Sequence, residues 1–291
     1  MIKNIIIGIG LCLAAISYNS TLETANAQGN QQFTEPGVVS YTFRHQFEED
    51  VPGTLDLIKG MGIRNIEFSS LFGTNADELR SMIDERELIC TSFGVGYNDL
   101  VNNTEEVIEN ARTLGAKYIR VAWIPHDDSF SIEDTKRAAS DFNRAGQKIS
   151  EAGLYFAYHN HGYEFRPYKD GTLFDYLVEN TDPEYVSFEI DLLWVAHPGA
   201  DPVKLLKQYP DRFRLMHLKD LKKGAKSDFS GSAPEEYDVR LGTGQIDFTA
   251  VMDAAKDTNI EYYYIEDESS DVIERVPKSI VYINEVISSI E

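Results

Sequence analysis

The chain has 291 residues, 42% of them hydrophobic, with 27 Lys and Arg against 48 Asp and Glu for a formal charge of −21. So acidic a protein repels nucleic-acid phosphates at long range and is a poor host for heavily phosphorylated ligands. Its two cysteines, Cys12 and Cys90, do not make a disulfide-built scaffold, so stability has to come from a buried core.

The first 27 residues read as an export leader and not as part of the fold. Lys3 supplies the positive start, residues 5–16 are apolar but short for a bilayer span, and Ala25-Asn26-Ala27 is a small-x-small cleavage site. An uncleaved anchor is the alternative, while Leu11 before Cys12 is too bulky for a lipoprotein signal. Cleavage before Gln28 removes Lys3 and Glu23 together, which leaves the charge unchanged and Cys90 as the one cysteine. The expected compartment is a bacterial periplasm.

Residues 28–291 alternate short β-rich runs with amphipathic stretches. Strands are expected at 38–43, 65–69, 89–93, 118–123, 154–159, 185–191, 213–217 and 262–266. Helices are expected at 76–86, 104–114, 132–152, 173–179, 202–208 and 248–257, with 277–290 closing the chain. Buried strands alternating with helices imply parallel pairing, and eight such units point to a single (β/α)8 TIM barrel, an α/β fold. A doubly wound open sheet would offer a glycine-rich turn after its first strand, and Tyr41-Thr42-Phe43-Arg44-His45 has none. No Pro/Ser-rich linker divides the chain. A long segment, 221–246, follows the seventh strand and carries Lys222, Lys223 and Leu241-Gly242-Thr243-Gly244. On a barrel it would lie over the catalytic face, and a plain surface loop is the bland alternative.

Four successive strands end in residues that bind metals. The fifth runs into Tyr158-His159-Asn160-His161-Gly162-Tyr163-Glu164-Phe165, the sixth ends at Asp191, the seventh reaches His217, and the eighth Glu266. Alternate strand residues share a face, so Asp191, His217 and Glu266 occupy matching positions and converge above the barrel. A lone strand-end Asp more often caps a helix, and a lone His is more often packed. Four at corresponding ends are poorly explained that way, and His, Asp and Glu are ligands for a divalent metal. Lys219, two past His217, would also point inward and hold a substrate oxygen. Trp194 and His197 would form a pocket wall, while Glu67 and His45 are candidates for substrate hydroxyls. Arg120 and Trp123 on the fourth strand are further candidates.

At these residues, and at Leu241-Gly242-Thr243-Gly244-Gln245-Ile246-Asp247 and Ile265-Glu266-Asp267, the chain resembles the sugar phosphate isomerase/epimerase family of xylose isomerase-like TIM barrels. The resemblance covers nearly all of residues 28–291. It implies one divalent cation, Mn, Co, Zn or Mg, held by Glu, Asp, His and Glu, the last three matched by Asp191, His217 and Glu266. The first is where this chain departs, because the fifth strand has Tyr158 and His159 where the family commonly has Glu. Glu164 folding back is the expected fourth ligand, with His159 and His161 beside the substrate, and His159 as ligand is the alternative. Catalytic roles then fall to Glu266, His159, His161 and Lys219.

The activity implied is proton abstraction next to the carbonyl of a sugar or keto-sugar by an isomerase or epimerase. A 3-keto-glycoside lyase or dehydratase using the same metal site is the alternative reaction. A non-catalytic periplasmic carbohydrate-binding barrel is the alternative of another class. The partners expected are a small-molecule sugar, no nucleic acid and no membrane after leader removal, with homo-oligomerisation left open. The charge of −21 and only six histidines oppose a nuclease with a three-zinc cluster.

Overall fold

Helices begin in this protein where the sequence supplies a cap. Asn75, Ser131 and Thr172 each accept from the N3 backbone N–H while Glu78, Asp134 and Asp175 reach back, giving three capping boxes. These start the helices Ala76–Glu85, Ile132–Glu151 and Leu173–Glu179. Helix Ile132–Glu151 buries Ala138, Ala139, Phe142, Ala145 and Ile149, one face at three- and four-residue spacing. Gly146 belongs to that face too: a Cβ there would stand 2.5 Å from the Tyr185 carbonyl oxygen, so only glycine lets the helix seat on the barrel.

The computed structural model describes residues 33–290. The expected leader at 1–27, with Cys12, lies outside the described residues. Eight parallel strands close on themselves: β1 (Gly37–Val39), β2 (Asn65–Phe68), β3 (Ile89–Gly94), β4 (Tyr118–Val121), β5 (Tyr155–His159), β6 (Val186–Asp191), β7 (Phe213–Leu218) and β8 (Tyr262–Ile265). Each pairs with the next in sequence, and β8 pairs with β1 at Gly37 to Tyr264 and Val38 to Ile265. That closure is the (β/α)8 barrel and rules out the open sheet. Among the described residues no helix is long and apolar enough to cross a membrane.

Helices Val51–Gly60, Tyr97–Asn102 and Leu192–Ala196 were not expected, the fourth strand stops at Val121, and two further elements have shifted bounds. The first strand stops at Val39, and Ser40–Phe43 is a 3-10 turn leading into helix Arg44–Glu49. The cause is side-chain competition for the backbone: Ser40 Oγ accepts from Ser69 N at 2.8 Å and Thr42 Oγ1 from Asp267 N at 3.1 Å. The last helix begins at Val272, five residues before the expected Pro277. Pro277 lies in its second turn, where its missing N–H leaves the carbonyl of Ile273, a residue 51% exposed, without a helical partner.

Inside the barrel the inward residues stack in layers. The lowest is apolar: Tyr118, Ala157, Leu215 and Tyr264, with Tyr264 Oη 2.6 Å from Thr91 Oγ1. Above it lie Glu67, Arg120 and Glu189, all buried. The top layer opens to the C-terminal face, where βα loops build binding sites.

Candidate active site

Strand register brings the expected residues together. His159 pairs with Glu189 across β5 and β6, Asp191 with His217 across β6 and β7, and Glu266 follows the end of β8. His159, Asp191, His217 and Glu266 each place one ligand-type atom within 4.8 Å of the others, and all four are buried. His217 Nδ1 lies 2.5 Å from Glu266 Oε2 and 3.7 Å from Asp191 Oδ2, and His159 Nε2 lies 3.4 Å from the same Asp191 oxygen. Asp191 both caps and converges: its Oδ1 accepts from Trp194 N at 2.8 Å, starting helix Leu192–Ala196, while Oδ2 faces the cluster.

The opposite edge of His217 sets which nitrogen can turn to a cation. Nε2 lies 2.9 Å from Glu67 Oε1, and that carboxylate takes two bonds from Arg120, at 2.6 and 3.0 Å. Burial works against a charged Glu67, but Arg120 and His217 outweigh it and hold the carboxyl well below the usual range. An ionised Glu67 accepts only, so a ring proton sits on Nε2. Burial opposes charge on His217, but Glu189, Glu266 and Glu67 raise its pKa well above the ordinary value, so Nδ1 is protonated as well until a cation between Asp191 and Glu266 displaces that proton. Nδ1 is buried between the carboxylates of Asp191 and Glu266. Four buried carboxylates (Glu67, Glu189, Asp191, Glu266) meet three buried cations, Arg120, Lys219 and the His217 imidazolium. Two imidazoles and two carboxylates converging within 4.8 Å, in surplus negative charge, fit a divalent cation.

Glu164 does not join this group, contrary to expectation. After His159 the chain turns through a 3-10 segment, Tyr163–Phe165, and both Glu164 oxygens accept from His161 N at 3.1 Å. Tyr158 Oη also donates to it. Burial pushes the Glu164 carboxyl up to about 7 against those two donors. His159 stands at the fourth corner instead.

The other expected residues divide between cavity and scaffold. A cavity of about 510 Å³ is lined by Arg120, Trp123, His159, His161, Trp194, His217, Lys219 and Glu266 among others. His161 stacks between Tyr163 and Trp194, at 5.7 and 5.2 Å, and its Nδ1 has no hydrogen-bond partner. Burial, then the neighbouring His159, drive its pKa well below the ordinary value, so the ring is neutral. Lys219 donates to Glu266 Oε1 at 3.0 Å and also to Glu268. Burial opposes its charge, but Glu266 and Glu268 raise its pKa well above the ordinary value and it stays an ammonium.

Three residues expected to touch substrate do not line the cavity. His45 rides helix Arg44–Glu49 with its side chain 71% exposed, 3.8 Å from Glu48, because the first strand ended early. Glu67 is fully buried beneath His217. His197 is buried behind Trp194, ring edge to ring face at 5.9 Å, with both nitrogens unbonded. Sequence reading missed Glu189, Glu268 and Asp238 as site neighbours. The signal for the first two was the two-residue step from Asp191 and Glu266.

The long 221–246 segment does cover the cavity, through Gly231, Ser232, Ala233, Pro234, Glu235 and Asp238. Asp220 anchors it by accepting from the N–H groups of Gly242, Gly244 and Ile246 at 3.0, 2.8 and 3.2 Å. Lys222 and Lys223 point to solvent and take no part in the lining.

Known proteins share this fold. The chain is 27% identical over 179 residues to an inosose dehydratase of Lacticaseibacillus casei, a match covering 54% of this chain and 59% of that relative. A sugar phosphate isomerase/epimerase structure from Parabacteroides distasonis superposes with a TM-score of 0.69 at 22% identity, covering 89% of this chain and 97% of that one. A structure of the IOLI protein with a binding zinc atom superposes with a TM-score of 0.68 at 15% identity, covering 88% and 98%. At such identities the two structures establish the fold. The model of the xylose isomerase-like TIM barrel family matches residues 55–283, and the chain belongs to that family.

Proposed function

We propose that the chain is a metal-dependent sugar isomerase or epimerase that removes the proton next to the carbonyl of a sugar or keto-sugar. The carrying observation is the convergence of His159, Asp191, His217 Nδ1 and Glu266 on the cavity floor. A Mn, Co, Zn or Mg ion held by these four would polarise a carbonyl and its neighbouring hydroxyl, making the adjoining C–H acidic.

The chain's own residues supply the rest. His161, neutral and lining the cavity, is the base that takes the proton and, as imidazolium, returns it to the neighbouring carbon, the one-base course of an isomerase. Glu266 has both oxygens engaged, one by Lys219 and one near His217, which suits a ligand better than a proton carrier. Lys219 keeps its charge and steadies negative charge on a substrate oxygen without giving up its proton. Trp194 packs its ring against His161 and carries the Lys219 ammonium 5.4 Å from its centroid, so it sets the spacing of both groups.

A second reading is a lyase or dehydratase. It is favoured by an asymmetry: the base is a neutral imidazole and the opposing group a fixed cation, which suits loss of a β-oxygen beside Lys219. The name of the Lacticaseibacillus relative agrees with it. Metal-loaded protein incubated with keto-sugars in heavy water separates the two. Exchange at the α-carbon with only sugar products supports the isomerase, and an accumulating enone supports the lyase. Sugar affinity with no exchange from any keto-sugar would remove both and leave a binding protein. We place the reaction in the periplasm on the leader read at residues 1–27, to be checked by fractionating cells that express the full chain.

A further inference from the structure

The mouth of the cavity carries features that the chemistry above does not use. Among the described residues six large apolar side chains are exposed. Ile89 and Tyr155 start strands on the opposite face, and Ile273 and Val281 lie on the last helix. The remaining two, Tyr41 and Trp123, are both aromatic, both 43% exposed, and both line the cavity.

Each is held rigidly. Trp123 stacks on His126 at 5.0 Å and 24°, with the edges of Tyr163 and His161 at 4.9 and 5.2 Å. His126 is fixed in turn through Nδ1, 2.7 Å from the Ile124 carbonyl, and against Phe130. Arg44 sits over the Tyr41 ring at 4.8 Å and is tied to the Tyr41 and Glu268 carbonyls. The segment Gly231 to Pro234, also part of the lining, is made of small side chains and leaves room. Gly231 keeps it low: φ is +70° and a Cβ there would stand 2.4 Å from the Tyr163 ring.

Charge at the mouth selects against anions. The cavity's Arg120 faces Glu67 and Glu189, and Lys219 faces Glu266 and Glu268. Glu235 and Asp238 add further carboxylates to the lining. A phosphate would find both cations of the lining already paired with carboxylates and would meet several acids, while Arg44, behind the Tyr41 ring and outside the lining, is held by two backbone carbonyls.

From these features we infer that the protein's ligand is an uncharged glycoside with the reacting carbonyl on its ring, not a free or phosphorylated monosaccharide, and that its second ring stacks in an outer subsite built by Trp123 and Tyr41. The inference rests on the sugar reading above and specifies its substrate class. Both a second sugar and an aromatic aglycone offer a flat apolar face to such rings.

Calorimetric titration tests it with methyl β-D-glucopyranoside, phenyl β-D-glucopyranoside, cellobiose and glucose 6-phosphate, repeated with the methyl and phenyl galactosides. The two-ring probes should bind about tenfold more tightly than the methyl glycosides, with glucose 6-phosphate no tighter than those. A gain for phenyl alone assigns the subsite to an aromatic aglycone, and a gain for both assigns it to any second ring. Trp123→Ala should bring the two-ring to methyl ratio close to one, Trp123→Phe should restore part of it, and Tyr41→Ala should lower it. A ratio near one in the natural protein, a ratio unchanged in Trp123→Ala, tightest binding of the phosphate, or no binding of any probe would overturn the inference. Exchange from keto-sugars in heavy water alongside a ratio near one would sink the subsite alone. A high ratio without exchange would sink the catalytic reading alone.

Discussion

The two ends of the barrel interior are built on the same strands and made of opposite materials. At the lower end Tyr118, Ala157, Leu215 and Tyr264 pack side by side, and the hydroxyl of Tyr264 is satisfied by Thr91. Two residues further along β5, β7 and β8, at one turn of the pleat, stand His159, His217 and Glu266. The lower layer gains stability from area removed from water. The upper layer loses it by burying like charges, with Glu189 pushed up by burial and by Glu67 against the pull of His217 and Arg120. A barrel can carry such a cluster because the apolar layer beneath it and the helices around it supply the offsetting free energy.

Changes at each end should therefore separate function from stability. The largest effect is expected from His217→Ala, which removes the nitrogen between Asp191 and Glu266: bound metal should fall from near stoichiometric to background by plasma mass spectrometry, and turnover by at least about a thousandfold. Two residues earlier on the same strand, in the apolar layer, Leu215→Ala should cost about 3 kcal/mol in a urea melt and leave metal content unchanged. Loss of metal in that variant would show that the layers are not independent.

Glu164 sharpens the comparison, since it is a buried acid outside the cluster. Its carboxyl is raised from 4.5 to about 7, so the folded state binds the proton more tightly than the unfolded state. Stability from this group is full below about pH 4.5 and is lost as pH rises through 7, by on the order of 3 kcal/mol. Glu164→Gln should consequently be stabilised relative to the natural protein at pH 8 and not at pH 4.5, as read from melts at both values. The smallest effect belongs to Glu67→Gln. An amide also offers a donor and no longer enforces the Nε2 proton on His217, so metal affinity should weaken about 10- to 100-fold by competition with a chelator. An unchanged affinity would mean that Glu67 only neutralises Arg120.

Much of the molecule was legible because its signals are local. Helices Thr104–Leu114, Leu173–Glu179 and Pro202–Gln208 have the expected bounds, each following from apolar spacing and nearby caps. The strand-end pattern of His, Asp, His and Glu was visible because side chains alternate with a period of two, which the chain cannot evade within a strand. Strand β1 was overestimated because Ser40 and Thr42 bond to residues from β2 and the segment after β8, contacts with no trace in the neighbouring sequence.

By itself the sequence determined the barrel and the residue types that meet above it. Only the tertiary structure decided which of them face the cavity. His159 and Glu164 are five residues apart and chemically both suited to a cation. The difference is that His159 is still held by the β5–β6 ladder, whereas Glu164 lies past the turn and is captured by Tyr158 and the His161 N–H. Likewise Glu67 and Glu266 are both glutamates at or next to a strand end. Register puts Glu67 against Nε2 of His217 and Glu266 against Nδ1, so one sets the tautomer and the other uses it. Such assignments depend on where the closed sheet places strands far apart in the chain, and spacing along one strand carries no information about its neighbour's register.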